Sequence, residues 1–126
     1  MFRKLLSAKL HQARMTFTDV NYHGSITIDS TLLAASGLRP NEAVLVADCE
    51  NGNRFETYII AGEAGTGVIG VNGAAARLTK PGNRLIVMAF IFAAETELAT
   101  HTARVVILNQ SNKPVEIINN PSSLPG

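Results

Sequence analysis

A single cysteine, Cys49, stands among 126 residues, so no internal disulfide framework and no multi-cysteine metal site can form. It is expected to be a small buried hydrophobe. Charge is scarce as well: 17% of residues are charged, against roughly 25% in an ordinary soluble domain. A small domain has much surface for its volume and normally covers it with charge. The shortage predicts that part of the surface is hidden in an oligomer. Neither sign dominates, with 11 basic and 10 acidic residues and a net charge of +1. Phosphate neutralisation needs clustered Lys and Arg, so nucleic acid is not an expected partner. Long apolar runs are missing too. The longest, Leu85 to Ala94, is ten residues, well short of the ~18–20 needed to span a bilayer. Met1 to Leu10 carries Arg3, Lys4 and Lys9, with no apolar stretch of signal-peptide length after them. A cytoplasmic protein with no membrane partner is expected. His11, His23 and His101 are scattered, with no His-x-x-x-His pair, so no metal site is expected.

What is present suits a globular domain spanning 1–126. Hydrophobic residues make up 46%, enough for a core and too many for a disordered chain. Gly, Pro and Asn punctuate short segments, which favours strands over a helical bundle. Strands are predicted over Met1 to Leu10, within Gln12 to Val20, and over Ser25 to Ile28, Ala43 to Asp48, Arg54 to Ile60, Leu85 to Ala93 and Val105 to Leu108. Asp29 reads as a helix N-cap for Ser30 to Ser36, with Gly37 past its end and Pro40 barring continuation. Glu50-Asn51-Gly52-Asn53 reads as a hairpin turn in which Asn51 and Gly52 tolerate positive φ. Ala74 to Leu78 and Glu95 to Thr100 read as short helical turns, with Glu95 and Glu97 as solvated charges. Leu85 to Ala93 is apolar at every position, so both of its faces need cover. The tail over 110–126, rich in Asn, Ser and Pro, is expected to be flexible or laid over the surface. The expected class is all-β with short helices. A closed barrel is the natural way to remove exposed edges.

Three groups of residues can carry chemistry. Gly65-Thr66-Gly67-Val68-Ile69-Gly70 matches a dinucleotide fingerprint literally, but no long helix follows it, so a tight turn between strands is the favoured reading. Gly24-Ser25 is in isolation a turn. Its sharper reading is self-cleavage. Gly24 leaves its carbonyl open to approach and permits strained φ/ψ, and the Ser25 hydroxyl one residue on can attack that carbonyl in an N→O acyl shift. Elimination from the resulting ester, then hydrolysis, leaves a pyruvoyl group, an electron sink made from the chain's own atoms. The third group is Arg54, Thr57 and Tyr58. An arginine pairs a carboxylate through two parallel N–H bonds, and a tyrosine can protonate a carbanion. Strict alternation sets Arg54, Glu56 and Tyr58 on one face of their strand, and Phe55, Thr57 and Ile59 on the other.

In order and spacing these residues resemble the pyruvoyl-dependent aspartate 1-decarboxylase family. The matching pieces are Lys9-Leu10-His11, Tyr22-x-Gly24-Ser25 with Thr27-Ile28-Asp29, Asn51-Gly52, Arg54 with Thr57-Tyr58, Gly65 through Ala76, and Pro81-Gly82. The resemblance implies a six-stranded double-psi β-barrel, a homotetramer with active sites between subunits, and self-cleavage into 1–24 and 25–126. Ser25 would become the covalently bound pyruvoyl group, with no metal and no pyridoxal phosphate. That group would form a Schiff base with L-aspartate, release CO₂ and yield β-alanine for pantothenate biosynthesis. Thr57 would assist cleavage through the Gly24 carbonyl and then contact substrate. Arg54, with Lys9, would hold a substrate carboxylate. Tyr58 would be the proton donor. Asn72, Gly73, Ala74 and Ala75 would line the substrate pocket, their small side chains allowing close approach. A maturation partner resembling an acetyltransferase serves the family in some bacteria and leaves no signature in this sequence. His23 and Arg77 depart from the common family pattern. Thr57 and Tyr58, on opposite strand faces, would need either a bulge or different parts of an intersubunit cleft to serve one site. Two other readings are a pyruvoyl decarboxylase of another amino acid and a non-enzymatic small β-barrel acting as a binding or adaptor module.

Overall fold

A computed structural model describes residues 1–21 and 24–125. Tyr22 and His23, part of the expected cleavage motif, lie outside the described residues. The elements are β1 (Phe2–Arg14), β2 (Phe17–Asp19), β3 (Ser25–Asp29), α1 (Ser30–Ser36), β4 (Ala43–Asp48), β5 (Arg54–Gly62), β6 (Ile69–Asn72), β7 (Arg84–Ala94), β8 (Thr102–Leu108) and β9 (Pro114–Pro121). Two 3-10 helices, Gly73–Leu78 and Glu95–Glu97, complete them. The class is all-β, as expected. The strands form one sheet in the order β2-β6-β3-β5-β4-β7-β1-β8-β9. β3 runs parallel to β5 and antiparallel to β6. β1 lies between β7, antiparallel, and β8, parallel. These pairings run from β2 to β9, and the six-stranded closure stays an implication of the resemblance.

Alternation builds the core. Leu10, Ile26, Ile28, Val46, Ile59, Ile69, Val71, Leu85, Val87 and Val106 are fully buried, each from a strand. Burying such a side chain contributes about 1.5–3 kcal/mol before chain entropy is counted. α1 closes one side with Leu32 and Leu33.

The Asp29 carboxylate sits inside this frame, 1% exposed. One oxygen accepts from Thr31 N at 2.7 Å, capping α1, and from Gly65 N at 3.0 Å. The other accepts from Gly67 N at 2.8 Å. The glycine-rich loop therefore turns its amides on an internal carboxylate, not on a phosphate. Gly67, at φ +73°, occupies a conformation that side-chain-bearing residues rarely adopt. Gly70 is required for a different reason: a Cβ there would fall within the Phe17 ring, which lies over it across the β2–β6 pair. Gly37 ends α1 in the left-handed region, as predicted.

The structure corrects several expectations. The 110–126 segment is not a loose tail, because Pro114–Pro121 is β9 and pairs along β8. Its prolines stand at the two ends of an edge strand, where a missing N–H costs no ladder bond. Asn112 anchors the turn before it. At φ +57° and 2% exposed, it accepts from Arg14 N and donates to Arg14 O and Gly67 O, at 2.7, 2.8 and 2.8 Å. Cys49 is exposed, not buried, because it lies past the end of β4 in the turn toward β5. In that turn only Gly52, at φ +77°, takes a positive φ, because Gly52 N bonds back to Asp48 O and closes a wider loop than a two-residue hairpin. β7 alternates between buried and half-buried as far as Ala89, and then Phe90, Ile91 and Phe92 stand exposed in succession. The 95–100 helix shortens to Glu95–Glu97, where Glu97 caps the turn from Ala94 N and Glu95 pairs with Arg3.

Replacing Asn112 by Ala removes three bonds and leaves buried backbone groups unmet. We expect a loss of roughly 2–4 kcal/mol in urea unfolding, with the far-UV spectrum unchanged. Acid should weaken the fold as well. Burial opposes ionisation of Asp29, but the Gly67, Thr31 and Gly65 N–H groups outweigh it and hold the carboxyl below its ordinary range. Asp48 is likewise buried, and bonds from Thr79, Asn83 and the turn amides hold it low. A group whose folded pKa is depressed stabilises above its unfolded pKa, and that stability is lost as pH falls through the folded value. Unfolding free energy should therefore fall steadily below about pH 4, with a shallower slope in Asp29→Asn.

Candidate active site

β3 places Ser25 at its first residue, 1% exposed, opposite Asn72 at the end of β6. Asn72 is itself 2% exposed. Its Nδ2 donates to Ser25 Oγ at 2.9 Å and to Thr27 Oγ1 at 3.1 Å. Both amide hydrogens are thus aimed at β3 hydroxyls, which fixes the orientation of the amide. Directly after Asn72 the chain enters the 3-10 helix through Gly73, buried at φ +73°. Ala74 is exposed and Ala75 half-buried, so small side chains and open backbone follow the Ser25–Asn72 pair at once.

The parallel β3–β5 register pairs Ile26 with Ile59. That is the first pair of the ladder, so Ser25 and Tyr58 each stand one residue before it on adjacent strands. The sheet therefore brings the Gly24-Ser25 junction, Thr57-Tyr58 and Asn72–Ala75 to one end of three adjacent strands. A Cβ built on Gly24 meets no described atom within 4 Å.

β5 alternates as read from the sequence. Arg54, Glu56 and Tyr58 are exposed, while Phe55 and Thr57 are half-buried and Ile59 fully buried. Its pairing with β4 is regular from Arg54 to Tyr58, so no bulge brings Thr57 and Tyr58 to one face. Arg54 and Tyr58 share the outer face, two pleats apart. Lys9 is not brought to them by pairing. It lies half-buried on β1, opposite Met88 of β7, with β4 and β7 between it and β5. Two positions on is His11, whose Nδ1 is buried with no partner among the described residues. Burial, then the nearby Lys9 charge, holds its pKa below the ordinary value and keeps the ring neutral.

Thr27 was missed in the sequence as a contributor. The signal was available: two residues from Ser25 on one strand means the same face. A hollow of about 700 Å³ lies elsewhere, lined by Ser36, Arg39, Phe90 and Arg104 among others, and contains none of the expected site residues. Among the described residues no group of three or more His, Cys, Asp or Glu could hold a metal. No helix among them is long and apolar enough to cross a membrane.

The family model described as aspartate decarboxylase matches residues 1–115. The aspartate 1-decarboxylase of Neisseria meningitidis is 47% identical over 119 residues, covering 94% of each chain. Those of a Geobacillus species and of Anoxybacillus flavithermus are each 47% identical over 118 residues, covering 94% of this chain and 93% of theirs. The match spans nearly the whole chain, and the chain belongs to the aspartate decarboxylase family.

Proposed function

We propose that the chain cleaves itself between Gly24 and Ser25 and then decarboxylates L-aspartate to β-alanine, supplying pantothenate biosynthesis in the cytoplasm. The observation that carries this reading is the buried Ser25 hydroxyl, held by the buried Asn72 amide directly after Gly24. In the first step Ser25 Oγ attacks the Gly24 carbonyl carbon, the C–N bond breaks, and an ester replaces the amide. Asn72 holds the hydroxyl at the junction. Thr57 assists from the neighbouring strand β5, its hydroxyl donating to the Gly24 carbonyl oxygen as that oxygen gains charge. Loss of the Ser25 Cα proton then expels the Gly24 carboxylate and leaves a dehydroalanine, whose imine tautomer water hydrolyses to the pyruvoyl with release of ammonia. The residues left around position 25 fit that group: the Thr27 hydroxyl and the buried Asn72 amide can donate to its oxygens. When formed, it supplies an electron sink for the carbon that loses CO₂.

The remaining side chains bind and move protons. Arg54 pairs a substrate carboxylate, and Gly73, Ala74 and Ala75 offer backbone groups at close range. Tyr58, on the face of Arg54, returns a proton to the carbon left by CO₂. Lys9, separated along the sheet from β5, joins the site from a neighbouring subunit of a homotetramer. The exposed Phe90-Ile91-Phe92 run and the low charge content support such an assembly.

Intact mass spectrometry of purified protein should show fragments 1–24 and 25–126, the larger blocked at its N-terminus. Ser25→Ala should remain one chain of 13.4 kDa and form no β-alanine. A full-length Ser25→Ala protein with undiminished turnover would sink the reading. Turnover compared across aspartate, glutamate and ornithine fixes the substrate. Tyr58→Phe should still cleave itself, with kcat reduced by about 10²–10⁴ through loss of the acid. Thr57→Val should slow self-cleavage, read as persistence of the full-length band.

A further inference from the structure

Arg54 and the Gly73–Ala75 turn belong to separate segments, and a buried carboxylate outside the site ties those segments together. Asp48, 2% exposed at the end of β4, accepts from Thr79 Oγ1 at 2.7 Å and Asn83 Nδ2 at 2.8 Å through one oxygen. Its other oxygen accepts from Glu50 N at 2.8 Å. The turn that Asp48 begins sends two amides onward: Asn51 Nδ2 and Asn53 Nδ2 both donate to Leu78 O, at 3.0 and 2.8 Å. Leu78 is the last residue of the 3-10 helix that starts at Gly73, and Asn53 directly precedes Arg54. Glu50 adds a fork to Arg84, at 3.1 and 2.9 Å, on the far side of the same turn. One cluster thus holds the start of β5 against the end of the 73–78 helix.

We propose that Asp48 is a positioning residue for substrate binding, setting the separation between Arg54 and the Gly73–Ala75 backbone. The inference rests on the proposed decarboxylase reading. The bonds from Thr79 and Asn83 keep Asp48 ionised despite its burial, so the cluster is intact at neutral pH. Ser25 and Asn72 take no bond from this cluster. Self-cleavage and substrate binding therefore respond differently to its loss, which a general loss of stability would not produce.

The test uses protein carrying Asp48→Asn or Thr79→Val, with Asn112→Ala, whose own bonds go to Arg14 and Gly67, as a destabilised comparator. Self-cleavage is followed by intact mass, thermal midpoints by calorimetry, and β-alanine formation across L-aspartate concentrations. Both cluster variants should self-cleave to completion and raise KM roughly tenfold or more, as expected when a binding group is misplaced by part of an ångström. Asn112→Ala should lose thermal stability while keeping the native KM. An unchanged KM in Thr79→Val, or an equal rise in Asn112→Ala, overturns the proposal. Thr79→Val decides alone if Asp48→Asn does not fold. A native mature protein that leaves aspartate untouched would instead overturn the decarboxylase reading on which the proposal stands.

Discussion

The rest of the fold depends on one buried carboxylate. Asp29 ends β3, begins α1 and holds the amides of Gly65 and Gly67. A buried charge of this kind is costly unless its lone pairs are filled, and here three N–H groups fill them. The consequence reaches the other end of the strand. β3 is only five residues long, so fixing Asp29 fixes the register of Ile28 against Ile69 and of Ser25 against Asn72. A one-residue slip would turn Ile26 and Ile28 out of the core and carry Ser25 to the opposite face. The serine hydroxyl is therefore placed by a charge at the far end of its own strand.

Legibility in the sequence followed the range of the interactions. β4 was read with its true bounds, and the α1 caps were read correctly, because an Asx cap, a left-handed glycine and an alternating run are local signals. The alternation of Arg54 to Ile59 was also legible. β9 was not. Its stability comes from pairing with β8 and from Asn112 bonding across to Arg14, 98 positions away. Nothing in the local composition of an Asn- and Pro-rich segment announces those partners. Cys49 shows the converse failure: a residue type usually buried is exposed here because it lies beyond the strand end.

The candidate site was legible in its motifs and less so in its construction. Gly24-Ser25 and the Asn72–Ala76 stretch were recognised as pieces, but their juxtaposition is made by the β3–β6 pair. The opposite faces of Thr57 and Tyr58 presented a conflict. The structure removes one resolution, since β5 pairs regularly with β4 through both residues. What remains is that the two residues face different parts of an intersubunit cleft. Thr57 shares its face with Phe55 and the buried Ile59, while Tyr58 shares the exposed face with Arg54.

Cleavage after Gly24 would be destructive if the severed piece were peripheral, and here it is not. Residues 1–24 carry β1, which lies inside the sheet between β7 and β8, and β2, which pairs with β6. Leu10, Ala13 and Met15 from that piece are almost wholly buried. Leu10 and Met15 alone each hold the piece by about 1.5–3 kcal/mol of burial. The bonds of Asn112 to Arg14 grip it at the end of β1. The chain's covalent continuity at Gly24-Ser25 is thus redundant once the fold is made. Under the proposed self-cleavage, that redundancy would let a buried serine give up its peptide bond without loosening the strand that positions it, with Lys9 held in place on the smaller fragment.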